Sequence, residues 1–358
     1  MQIDLLLANL TSPPILFFVL GIAATLVRSD LSIPEPLPKL FSLYLLWAIG
    51  FKGGVSLRAA GLDADAMLPL IVAVALSAVV PVAAFVPLRS RFNAADACAI
   101  AAAYGSVSVV TFITASNFLD QQGIPYGGHL VAALALMESP AIITAVLMYR
   151  VVRTKDDNPA DATKPPPELK ELLREAVANG PVFLLLGSLL AGVITGDAGW
   201  TRLRPFCEDI FHGVLVLFLL ESGMTAARSL SGLRKAGIAA PIAGIVIPLI
   251  SAAAAIAIAI PLKLSVGDAF LLMILAASAS YIAVPAAMRL AIPEANSGVY
   301  LPMALGITFP FNIALGIPMY LASAQALLPD AAEATESAPA HEQGPAAETT
   351  EGPEAGQG

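Results

Sequence analysis

Apolar residues dominate this chain in long uninterrupted runs, and polar residues gather between them. The runs lack a two-residue alternation, so they predict helices rather than the strands of a membrane barrel. A helix needs about 20 mostly apolar residues to cross a bilayer, fewer where proline, glycine or tilt intervene. Ten segments meet that measure: 12–28, 40–57, 66–88, 95–117, 129–151, 180–196, 206–227, 237–262, 267–290 and 298–323. The connections are short except the fifth, which is polar, runs from about Arg153 to Ala178 and contains Lys164-Pro165-Pro166-Pro167. Within it, Glu168 to Val177 predicts a short amphipathic helix at the membrane surface.

Composition identifies the solvent. Hydrophobic residues make up 57% of the 358-residue chain and charged residues 13%, against about 25% charged in soluble domains. That is too little polar surface to coat a water-soluble fold, whereas in lipid a helix satisfies its own backbone. Much of the net charge of −8 belongs to the tail, where Asp330, Glu333, Glu336, Glu342, Glu348, Glu351 and Glu354 occur without Lys or Arg. Its Ala/Pro/Glu/Gly-rich composition predicts a disordered, solubilising extension. Cys98 and Cys207 show no motif spacing, so neither a disulfide nor a metal site is expected. The first ten residues hold Asp4 and no Lys or Arg, unlike a secretory signal.

Positive charge orients the spans. Odd-numbered connections carry 14 of the 19 Lys and Arg, even-numbered ones carry Arg58, Arg202, Arg204 and Lys263, and Lys52 lies inside a span. That bias puts the central loop in the cytoplasm and both termini outside, as expected for a multi-pass protein of a bacterial inner membrane.

Five spans flank each side of the central loop, and an odd number per copy makes the copies upside down relative to each other. Matched positions support the duplication. Gly50-Phe51-Lys52-Gly53-Gly54-Val55-Ser56 aligns with Leu219-Leu220-Glu221-Ser222-Gly223-Met224-Thr225, and Pro69 and Pro87 align with Pro241 and Pro261. Asp96 opens one fourth span and Asp268 the other, followed by Ser106 and Ser108 or Ser278 and Ser280; each fifth span has a central proline, Pro140 or Pro310. The predicted fold is all-α and membrane-integral, with two inverted five-helix repeats and a broken fourth helix in each. The first repeat occupies residues 1–152, a cytoplasmic loop 153–178, the second repeat 179–324 and the acidic tail 325–358.

The candidate chemistry sits at mid-depth in the fourth spans. Tyr104-Gly105-Ser106-Val107-Ser108 and Ser278-Ala279-Ser280-Tyr281, the latter followed by Pro285, combine small, hydroxyl and helix-weakening residues. A break there exposes backbone N–H groups at the positive end of a helix dipole, which attracts an anion without a fixed cation. Hydroxyls and carbonyls beside it supply the oxygen ligands that sodium prefers. A single serine in a membrane helix serves close packing at least as readily; the matched Ser-x-Ser pair points to function.

Three ionisable residues lie well inside spans: Lys52, Glu138 and Glu221. Each needs a partner or a purpose, because a charge at the bilayer centre costs roughly 2.5–3.5 kcal/mol. Lys52 and Glu221 hold equivalent repeat positions, so an ion pair between them and a substrate role are both open. Glu138 precedes Pro140, which lacks a backbone donor and frees a carbonyl, making a carboxylate-plus-carbonyl cation site. Thr308 is its counterpart before Pro310, and Asn312 reads as an interhelical hydrogen bond. His129 and His212 read as satisfied interfacial histidines. The chain carries no nucleotide-binding loop, metal-ligand cluster or nucleophile constellation, and nothing that suits nucleic acid.

Taken in order, several of these segments resemble the sodium-dependent bicarbonate transporter family of cyanobacterial type. They are Gly53-Gly54 with Arg58, Tyr104 to Ser108 with Thr111, and Gly123-Ile124-Pro125-Tyr126. Met137-Glu138-Ser139-Pro140-Ala141, Ala276 to Ser280, and Ile292-Pro293-Glu294-Ala295-Asn296 extend the likeness across residues 12–323. The resemblance implies bicarbonate at the crossing of the broken helices, sodium as coupling ion with no other cofactor, a homotrimer and a PII-like cytoplasmic regulator. It assigns the anion to Gly105, Ser106, Ser108, Ser278 and Ser280, and sodium to Ser108, Thr111 and Glu138. The chain departs from the pattern at Tyr281, where the family has Asp, at Val110, where it has a hydroxyl, and at Lys52, where it has no cation. Lys52 is therefore a candidate to replace part of the sodium requirement.

The expected function is sodium-coupled import of bicarbonate by alternating access. Transport of another small anion, such as an organic acid, and an anion-binding membrane sensor without flux are the alternatives. An enzyme is not expected.

Overall fold

The computed structural model describes residues 7, 9–61, 64–156, 180–233 and 237–328. Residues 157–179 and 329–358 lie outside them, and with them the expected amphipathic helix after Pro167 and nearly all of the acidic tail. Among the described residues every regular element is helical.

The first half begins with α1 (Pro13–Leu26), α2 (Pro36–Ala60) and α3 (Ala64–Arg89). α1 and α2 each start on proline, whose missing N–H is an orphan at that position anyway. The fourth span is two helices, α4 (Ala94–Gly105) and α5 (Val109–Gln122), and the fifth is α6 (His129–Leu136) and α7 (Glu138–Asp156). The second half runs through α8 (Gly180–Arg204), α9 (Phe211–Leu233), α10 (Ala239–Ala259), α11 (Val266–Ala277) and α12 (Ala283–Ala291). It closes with α13, the continuous helical run Ser297–Leu327. α13 extends past the boundary expected at residue 324. Seven runs among the described residues are long and apolar enough to cross a membrane, the longest being Gly180–Leu230; Pro13–Leu26 and Val266–Ala277 are shorter.

The prolines of the two fifth spans act differently. Pro140 has no N–H for the Leu136 carbonyl, and α6 stops there, with Met137 as the joint. Around Pro310 the helix stays continuous by widening into π-turns at Met303–Thr308 and Asn312–Gly316, a winding that absorbs a lost i→i−4 bond. α8 kinks at Gly196, whose φ of 54° is left-handed. Arg58 donates to the carbonyls of Val193 (3.1 Å) and Ile194 (2.6 Å) beside that kink.

Glycines seat two helix crossings. α2 packs on α8 so closely that a Cβ on Gly54 would strike the Leu189 carbonyl, and one on Gly192 the Phe51 carbonyl. α1 packs on α9 in the same way: a Cβ on Gly223 would strike the Phe18 carbonyl, and one on Gly21 the Leu220 carbonyl. Small residues allow such backbone approach in membranes, where no hydrophobic force pulls helices together.

The fourth spans open with matching caps. Asn93 accepts from the Asp96 N–H (2.8 Å) and Ser265 from the Asp268 N–H (3.1 Å), each filling an orphan donor. Each aspartate then catches a connection in the opposite half. Asp96 accepts from the Asn296 N–H (2.6 Å), after Ile292-Pro293, and Asp268 from the Gly127 N–H (2.7 Å), after Ile124-Pro125. The residues 94–122 are buried over 94% of their most apolar window, against 28% for Gly180–Leu230. The broken span therefore lies at the centre. Large apolar side chains such as Val86, Phe183 and Ile250 face outward, as lipid requires.

Candidate functional site

Both fourth spans are interrupted, as expected. α4 ends at Gly105 and α5 begins at Val109; α11 ends at Ala277 and α12 at last begins at Ala283. The interruptions are bonded to each other. The Ser280 N–H donates to the Ala103 carbonyl (2.8 Å), and the Ser108 N–H donates to Ser278 Oγ (2.9 Å). Ser278 Oγ donates in turn to the Leu275 carbonyl (3.1 Å). Ser108 is also the N-cap of α5: its Oγ accepts from the Thr111 N–H (3.3 Å) and from Thr111 Oγ1 (2.9 Å).

The starts of α5 and α12 face one recess of about 510 Å³ that is open at its mouth. Val107, Ser108 and Val109 form one wall, Ser280 to Ala283 another, and Glu138 stands with Ser42 and Pro181 across from them. The first N–H groups of a helix have no intrahelical acceptor, so two helix dipoles present their positive ends to this space. Glu138 is half-buried and has no hydrogen-bond or ion-pair partner among the described residues.

Of the residues expected to hold the anion, Ser108 and Ser280 line the recess. Ser278 stands behind Ser108 as the acceptor of its N–H. Ser106 is buried with its Oγ unpartnered among the described residues, and Gly105 meets Pro81 of α3, which a Cβ would strike. Gly105 thus serves helix packing. Of the sodium candidates, Glu138 and Ser108 line the recess and Thr111 bonds to Ser108 from behind.

The expected ion pair between Lys52 and Glu221 does not form. Lys52 Nζ lies 2.7 Å from Asp120 Oδ2, and Glu221 Oε1 accepts from Thr225 Oγ1 at 2.6 Å. Alignment of two positions in the sequence does not by itself bring them into contact. Lys52 stands in a separate recess with Asn117, Asp120 and Tyr126, away from the one that Glu138 lines. Burial holds the Tyr126 phenol above its ordinary pKa, with Lys52 opposing.

Sequence reasoning missed three groups. Asp120 sits in the last turn of a fourth span, and its spacing from Lys52 carries no signal. Tyr104 donates to Thr308 Oγ1 (2.6 Å), which donates to the Gly244 carbonyl (2.6 Å). The aspartate latches were legible in part, because Asn93-x-x-Asp96 and Ser265-x-x-Asp268 are the spacing of a helix cap with an acid three residues on. Asn312 makes the interhelical bond expected of it, donating to the Ala277 carbonyl (2.8 Å) at the end of α11.

Interrupted helices that meet with their N-termini on a shared recess define a polytopic membrane protein of the broken-helix transporter class. The family model of the Na+-dependent bicarbonate transporter superfamily matches residues 13–325, and the chain belongs to that family. A comparison with curated proteins finds no match. Family membership implies transport rather than catalysis and supports bicarbonate as substrate and sodium as coupling ion.

Proposed function

We propose that the protein imports bicarbonate together with sodium by alternating access, the anion resting between the starts of α5 and α12. The observation that carries this reading is the shared recess: two helix N-termini, the Ser108 and Ser280 hydroxyls, and the single carboxylate of Glu138. The dipoles attract the anion. Glu138, Ser108 and the carbonyl that Pro140 leaves free offer oxygen ligands to sodium. Thr111 and Ser278 hold the Ser108 end in place, and Ser106 supplies a further hydroxyl.

The reading includes ten membrane helices in two inverted repeats. The 51-residue run Gly180–Leu230 is long enough for two passes at about 20 residues each, and the two shorter apolar helices complete the ten. The swapped contacts of Gly54 with Leu189 and Gly223 with Phe18, and the swapped latches of Asp96 and Asp268, are what two copies related by one axis produce. Alternating access would rock one set of helices against the other around the crossing. The positive-charge bias supports an inner-membrane orientation with both termini outside. A homotrimer and a PII-like regulator on the cytoplasmic loop complete the reading.

The test is uptake of labelled bicarbonate by proteoliposomes with and without an inward sodium gradient. Accumulation that needs the gradient is the expected result. Anion binding without flux would instead support a sensor, and sodium-driven flux of an organic acid with none of bicarbonate would reassign the substrate.

A further inference from the structure

The recess that holds Lys52 has about 400 Å³ of empty volume and shares no lining residue with the recess at the helix breaks. Two donors face it. The first is the Lys52 ammonium, which is paired with Asp120 at 2.7 Å and lies 5.9 Å from the Tyr126 ring centroid. The second is the amide of Asn117, only 4% exposed. Asn117 Oδ1 is occupied by a hydrogen bond from Gln121 Nε2 (2.9 Å), so its NH₂ end is the free one, and that nitrogen is buried without a partner among the described residues. A buried donor left unpaired is destabilising, and an acceptor in the recess removes that penalty.

We propose that this recess is a second anion site, a loading site for a small monovalent oxyanion such as bicarbonate or a short carboxylate. The anion takes the place of Asp120 on Lys52 Nζ and accepts from Asn117 Nδ2. The other carboxylate in the recess, Glu208, is already paired with Arg204 at 2.6 Å. Asp120 is the half-exposed partner, 38% against 29% for Lys52, and so is the group placed to yield. It keeps the lysine neutralised while the site is empty, which a charge within a membrane span requires. One rigid element joins the two recesses. Asn117 and Ser108 belong to the same broken span, nine residues apart, about 13 Å along a helix axis. The loading site and the helix start that receives the anion therefore belong to one helix.

The opposite signs of two variants test the site. Equilibrium binding of labelled bicarbonate to the purified full-length protein is measured in sodium-free buffer, where the central site lacks its coupling ion. Binding is expected in the wild type and in Ser108→Ala, which strikes the other recess. Asp120→Asn removes the competing carboxylate and tightens binding about tenfold, the worth of one charge-assisted bond. The double variant Lys52→Gln/Asp120→Asn leaves no unpaired charge to disturb folding, and it abolishes the sodium-free component. Absence of sodium-free binding in the wild type, or indifference of that binding to both variants, would overturn the proposal. Neither result depends on sodium-driven uptake, so the loading site and the transport reading can fail separately.

Discussion

The two helix interruptions are both closed by a serine, but to different degrees. The first spans only Ser106-Val107-Ser108, and Ser108 caps the 14-residue helix beyond it through Thr111. The second spans Ser278 to Ile282 and leads into a 9-residue helix, where Ser280 Oγ accepts from the Val284 N–H at 3.4 Å and no further side-chain bond is added. The same contrast holds one helix further on. Glu138 has no partner among the described residues, whereas its counterpart Thr308 is engaged by both Tyr104 and Gly244. Glu138 is thus left open toward the recess, while Thr308 is bonded on both sides.

The largest effect expected is from Glu138→Gln. Removing the one carboxylate of the recess should lower sodium-driven bicarbonate uptake about a hundredfold, the loss of one strong charged interaction, while the thermal melt of the purified protein holds. Thr308→Val should do the reverse. It leaves Tyr104 and the Gly244 carbonyl unpaired and lowers stability by roughly 1–3 kcal/mol, with little change in sodium dependence. A Glu138→Gln protein that kept its sodium-driven flux would break the comparison.

Gly54→Ala and Gly223→Ala come next, since each forces a methyl against a carbonyl of the partner helix. Overpacking costs about 1–3 kcal/mol, and two related copies should show similar drops in melting temperature. A drop at one glycine alone would argue against the duplication.

How much of this was legible follows from what each feature depends on. The helices, the two interruptions and the central prolines are written locally, in runs of apolar residues and in Ser, Gly and Pro at given depths. Asn312 was legible for the same reason, being a lone amide in an apolar helix. The partner of Lys52 was not, because the fold and not the spacing brings Asp120 of α5 to α2. Gly105 is assigned to the anion by the resemblance alone, and the fold adds a reason no sequence pattern carries: the close approach of Pro81 demands a glycine there. The same holds for aligned charges: Lys52 pairs with Asp120 and Glu221 with Thr225, contacts that no alignment of the halves reveals.

The smallest effect expected is the one that bears most directly on the second interruption. Tyr281 lines the recess, its ring packs against Phe309 at 5.5 Å, and its buried hydroxyl lies beside Ser108 without making a well-formed hydrogen bond among the described residues. If that hydroxyl only fills space, Tyr281→Phe removes an unsatisfied group and the protein becomes slightly more stable, with uptake unchanged. If it donates to the anion, stability still rises, but half-saturation for bicarbonate rises too, by about fivefold, the worth of one neutral hydrogen bond near 1 kcal/mol. Measuring melting temperature and half-saturation on the same preparation separates the two. The second outcome is expected, because the phenol stands beside Ser108 among two helix starts, where an anion is a stronger acceptor than a serine hydroxyl.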